Sequence, residues 1–105
     1  MPPTLTTAPD PAVFPADVRA FAAERGVTGY LTPLYELTRQ CFPGAEVAVT
    51  QQNDYEVAGL GWVVYEVAVR DWSLDRYRAA KARWIGEFLR SVPPQDRAPF
   101  ILGMR

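Results

Sequence analysis

The sequence predicts one α+β domain with the element order ααββαβ. Three observations carry that prediction. Apolar residues recur at helical spacing up to Cys41 and again from Leu74. Between residues 45 and 69 the period drops to two, the spacing of strands whose side chains alternate between faces. Gly26, Pro43-Gly44 and Pro93-Pro94 break the chain around these stretches. At 105 residues and 49% hydrophobic, the chain suits one core and not two.

Residues 1–12 contain Pro2, Pro3, Pro9 and Pro11 and are expected as a disordered tail, leaving 13–105 as the domain. The first helix is expected from about Pro15 to Arg25. Proline suits its first position, Val18, Phe21 and Ala22 form its buried stripe, and Gly26 is placed to end it in the left-handed conformation. The second runs from about Gly29 to Cys41 on Leu31, Leu34, Leu37 and Cys41. Pro33 is tolerable there only in the first turn.

A strand follows from Ala45, with Val47, Val49 and Gln51 on one face. A loop over 53–61 leads to a second strand over 62–69, and the two form an antiparallel hairpin. In that second strand Val63, Tyr65, Val67 and Val69 make the more continuous apolar row and are assigned to the core. Trp62, Val64, Glu66 and Ala68 face away. Ser73 is a good N-cap for the third helix, Asp75 suits its first turn, and Trp72 is expected to staple onto Tyr77. The stripe of that helix is Leu74, Tyr77, Trp84 and Phe88, interrupted by Lys81 and widened by Ala80, Ile85 and Leu89. Pro93-Pro94 ends it, 95–98 forms a short turn, and Phe100–Met104 reads as a last strand. Placing that strand beside the first gives sheet order 2-1-3 with antiparallel neighbours throughout.

Composition removes several chemistries. The chain has no histidine, which takes away the commonest general base and metal ligand. Cys41 is the only cysteine, so no internal disulfide forms and a zinc site lacks ligands. No cofactor or metal is expected. The lone cysteine points to a reducing compartment. The first residues do not read as a signal peptide, and no stretch approaches the roughly 18 apolar residues of a membrane span. The expected address is a bacterial cytoplasm, with no membrane partner.

Four features could carry function, and each also has a plain structural reading. Residues 1–69 hold three basic and eight acidic side chains, and residues 70–105 hold eight basic and four acidic, for an overall charge of −1. Arg76, Arg83 and Arg90 are spaced by seven and line one side of the third helix. Such a stripe could meet an acidic protein or a phosphate backbone; as plain structure it is a solvated face with an Arg83–Glu87 pair. Trp62 and Val64, turned from the helices, could anchor an interface or stack a base, or lie under the N-terminal tail or the second helix. Cys41 has no nearby His or Lys to lower its pKa and reads as core rather than nucleophile. Asp54, Glu56, Asp71 and Asp75 lack ligand spacing and read as turn and capping residues.

The run Tyr77-Arg78-Ala79-Ala80-Lys81-Ala82-Arg83-Trp84, the Pro93-Pro94 break, the strand Phe100-Ile101-Leu102 and the helix ending Cys41-Phe42-Pro43-Gly44 resemble those of short uncharacterised bacterial proteins. The resemblance spans most of residues 16–104. Its motifs are structural punctuation, and it implies the ααββαβ order without implying an activity. The leading expectation is therefore a non-enzymatic interaction domain, an accessory or regulatory subunit that binds a protein partner or forms a homodimer. Single-stranded nucleic-acid binding through Trp62 and the arginines is the second. A small ligand-binding pocket or enzyme built on Tyr35, Tyr65, Tyr77 and Glu66 is the third.

Overall fold

The helical spacing before residue 42 produces two helices whose apolar stripes face the same way. In the computed structural model, which describes residues 10–105, helix α1 spans Ala16–Glu24 and buries Val18 and Ala22. The first nine residues of the expected tail lie outside the described residues. Residues 10–14 form a turn in which the Asp10 carbonyl accepts from the Phe14 N–H at 2.8 Å, and this seats Phe14 in the core. Gly26 ends α1 with φ 71°, a conformation that costs a residue with a Cβ. A single 3-10 turn, Thr28–Tyr30, leads into α2, Leu31–Cys41. Pro33 sits in the first turn of α2, where a missing N–H deprives nothing.

Three strands follow: β1 Val47–Asn53, β2 Gly61–Val67 and β3 Phe100–Met104. Helix α3, Leu74–Ser91, and a 3-10 turn, Pro94–Asp96, connect β2 to β3. The hairpin forms as expected, antiparallel, with Val49 opposite Tyr65. The sheet order does not. It is β1-β2-β3, not 2-1-3, and β3 runs parallel to β2 with Leu102 opposite Tyr65. A strand, a helix and a returning strand make a crossover that lays the third element beside and parallel to the first. β2 is also the strand whose side chains are buried on both faces, which marks it as the centre.

The helices cover one face of this sheet. Val18 and Ala22 from α1, Leu31, Leu34 and Cys41 from α2, and Trp84 and Phe88 from α3 join Val49, Val63, Tyr65, Val67 and Phe100 in one apolar cluster. This is the face assigned to the core from the alternation in β2. The stripe of α3 is narrower than expected, because Leu74, Ile85 and Leu89 are exposed. The helix rests over the outer strand β3, with Phe88 edge-on to Phe100 at 6.3 Å, so its flank away from α2 has nothing left to cover.

The ends of α3 are closed by side chains. Ser73 Oγ accepts from the Arg76 N–H at 3.1 Å, as a capping serine should. Trp72 and Tyr77 both pack on Phe42, with ring centroids at 5.6 and 6.1 Å. At the far end Arg97 donates to the carbonyls of Val92 and Leu89, each at 2.7 Å, satisfying groups the helix leaves without partners. That clamp fixes the direction in which the chain enters β3.

Candidate functional site

The pleat of β2 sends Trp62, Val64 and Glu66 away from the helices. The strand register places Gln52, Thr50 and Ala48 of β1 opposite these three, and Ile101 and Gly103 of β3 opposite Val64 and Glu66. These side chains form the second face of the sheet, and none of the described helices contributes to it. Val64 is only 6% exposed although it lies outside the core cluster. Gly103 leaves the room it needs: a Cβ there would stand 2.9 Å from Val64 Cγ1. Trp62 is half-buried and Ile101 exposed. Gln52 Nε2 donates to Glu66 Oε2 at 3.4 Å, so the acidic end of the face is tied down.

Thr50 Oγ1 is buried in this face without a hydrogen-bond partner. A buried hydroxyl with no partner costs about 1–3 kcal/mol of desolvation. Replacing Thr50 by the isosteric Val removes that cost and raises strand propensity. Thr50→Val should therefore stabilise the protein by about 1 kcal/mol. Urea unfolding checks this, and a destabilised variant would mean that the hydroxyl has a partner in solution.

The arginine stripe is in the helical layer, on the other side of the sheet from Trp62 and Val64. Arg76 lies over the Trp72 ring, 3.6 Å from its centroid. Arg90 pairs with Glu87, one turn back, so the expected Arg83–Glu87 pair does not form. Arg83 makes no ion pair among the described residues. The five residues singled out from the sequence thus occupy two surfaces: Trp62 and Val64 on the open sheet face, and the three arginines on α3 with two of them already held by neighbours.

The polar residues expected for a pocket do not converge. Tyr65 is fully buried and donates to the Leu31 carbonyl at 2.8 Å. Tyr35 packs edge-on against Phe14, Tyr77 packs on Phe42, and Glu66 projects from the opposite face of the sheet. A hollow of about 500 Å³ between α2 and α3 is lined by Leu34, Leu37, Gln40, Glu87 and Val92, with Tyr30 at its end. The Tyr30 hydroxyl donates to Asp96 Oδ2 at 3.0 Å, and this bond holds its phenol above the ordinary value. Cys41 is buried, and burial pushes its thiol up, the opposite of what a nucleophile needs.

No group of three or more metal-ligating side chains occurs among the described residues. No described helix is long and apolar enough to cross a membrane. No family model, curated protein or solved structure matches this chain.

Proposed function

We propose that this domain is a non-enzymatic protein-interaction module, an accessory or regulatory subunit of a bacterial system acting in a reducing compartment. Its docking surface is the sheet face presented by Trp62 and Ile101, which flank the enclosed Val64. The observation that carries this reading is the one-sided cover among the described residues: three helices pack on one face and none on the other. A half-buried tryptophan beside a β-branched residue supplies the rigid apolar anchor on which interface affinity concentrates. Single-stranded nucleic acid is the weaker reading. A strand stacked on Trp62 could not reach Arg83 without passing round the sheet, and the isoelectric point near 5.3 gives no general attraction for phosphate.

The test places a photoreactive side chain at Gln52, exposed beside Trp62 and distant from β3, in the full chain in its host cells. It should yield one discrete adduct with another protein. Trp62→Ala should abolish the adduct, and Arg90→Ala should leave it. An adduct indifferent to Trp62→Ala would overturn the reading. So would tight, salt-sensitive oligonucleotide binding lost with Trp62→Ala, which would favour nucleic acid.

A further inference from the structure

We infer that this chain pairs with a second copy of itself along the free edge of β3, antiparallel and centred on Leu102. The inference starts from the backbone. The Pro99 carbonyl accepts from the Val63 N–H at 2.7 Å, the Arg105 N–H donates to the Val67 carbonyl at 3.0 Å, and the Arg105 carbonyl accepts from the Val69 N–H. Odd-numbered residues of this segment therefore face β2. By the alternation of a parallel ladder, Phe100, Leu102 and Met104 turn their N–H and C=O groups outward. The Phe100 N–H is already given to the Arg97 carbonyl at 3.1 Å. What remains on the edge is both groups of Leu102, the Phe100 carbonyl, and both groups of Met104.

That set of partial charges is complementary to itself. With a two-fold axis at Leu102, Leu102 exchanges both hydrogen bonds with its equivalent. The Met104 N–H meets the Phe100 carbonyl of the second copy, and the reverse. The one donor missing from the edge, the Phe100 N–H, leaves only the Met104 carbonyl to solvent.

The side chains point to the same edge. Among the described residues, five of the eight large exposed apolar side chains lie around it: Ile101 and Met104 on β3, and Leu74, Ile85 and Leu89 on one flank of α3. The other three belong to the β1–β2 loop. The opposite flank of α3, with Ala80, Arg83 and Glu87, borders α2. The Ile85 flank therefore overhangs β3, where a second copy's α3 would meet it. These five residues expose on the order of 400 Å², about half of the roughly 800 Å² that each partner gives to a standard interface, with the strand edge and polar flanks left to supply the rest.

Nothing between Phe100 and Met104 protects the edge in the usual ways, since the segment has no charge, proline or bulge. The free edge of β1 is different in kind, with Thr50, Gln51, Gln52 and Asn53 in sequence and α1 packed beside it. Pairing through β3 would join two sheets into one of six strands, with both copies' Trp62 on the same face. It does not depend on what that face binds.

Amide hydrogen exchange and native mass measurement on the full chain test the pairing. The expected result is a dimer in which the Leu102 and Met104 amides, which have no partner among the described residues, exchange at least tenfold more slowly on concentration. Ile85→Glu should shift the dimer to monomer by tenfold or more without altering the circular dichroism, and Leu89→Lys should act likewise. Trp62→Ala should leave the dimer intact. A monomer at near-millimolar concentration overturns the proposal. So does a dimer whose Leu102 and Met104 amides stay fast, whether Val49 and Gln51 are slowed instead or Trp62→Ala dissociates it.

Discussion

Trp84→Ala should remove about 3–5 kcal/mol of folding free energy, the usual loss for truncating a buried large aromatic. Domains of this size hold only about 5–15 kcal/mol, so the variant would sit near its unfolding threshold at moderate temperature. Two contacts are lost together. The indole is 3% exposed and stacks on Phe88 with centroids 5.0 Å apart and planes 10° from parallel. Its Nε1–H donates to Thr38 Oγ1 at 2.9 Å, and Thr38 donates in turn to the Leu34 carbonyl at 2.7 Å. The chain of bonds ties α3 to α2 through Thr38, a polar side chain fully buried in the core. Trp84→Phe keeps the stack and leaves Thr38 its bond to Leu34, so it should cost only about 1–2 kcal/mol. Thr38→Val instead strands the indole N–H, at about 1–3 kcal/mol. The double variant should cost less than the two single costs combined, because the stranded donor is gone. Urea unfolding reads all four proteins. A loss below about 1 kcal/mol for Trp84→Ala would show that α3 is not packed at this point.

The same residues show what sequence makes legible. The order of helices and strands is readable from local rules: the α1 stop at Gly26, the α3 cap at Ser73, the alternation that puts Val63, Tyr65 and Val67 inward. Each depends on a few neighbours in the chain. The partner of β3 was not read, because pairing is decided by long-range contacts such as Phe88 on Phe100 and Tyr65 on Phe100. A signal was nevertheless present. The run Trp62-Val63-Val64-Tyr65, apolar on both faces, belongs to a central strand, whereas Thr50-Gln51-Gln52-Asn53 belongs to an edge.

For the candidate site the outcome is mixed for a related reason. Which face of β2 turns outward follows from alternation, and Trp62 and Val64 are there. The burial of Val64 is not legible, since it depends on cross-strand packing and on Gly103, at the far end of the chain in sequence. The exposure of Ile85 and Leu89 was missed as well. Helical phase groups them with Phe88, and only the position of α3 at the sheet margin separates them.

Above about pH 9 the protein should lose stability in two steps, the second and larger centred on Tyr65. Tyr65 sits in the middle of the central strand, fully enclosed, and burial pushes its phenol far above the usual tyrosine range. In the unfolded chain that phenol ionises near pH 10, while in the folded protein it stays neutral. The stability tied to the neutral form is therefore complete below pH 10 and drains as the pH rises past it. Each further unit raises the unfolding equilibrium constant about tenfold from this one group. Cys41, also raised by burial, has the same sign and starts lower, near the ordinary thiol value. Cys41→Ala should erase the first step and Tyr65→Phe most of the second, the remainder belonging to Tyr30, whose bond to Asp96 also holds its phenol up. At neutral pH Tyr65→Phe loses the bond to the Leu31 carbonyl, a cost of about 1 kcal/mol. Its stability curve should thus start below that of the parent and cross it in strong alkali. Urea midpoints measured across this pH range decide the matter. If Tyr65→Phe unfolds as steeply above pH 10 as the parent does, the linked proton belongs to another group and Tyr65 is wetter than its packing implies.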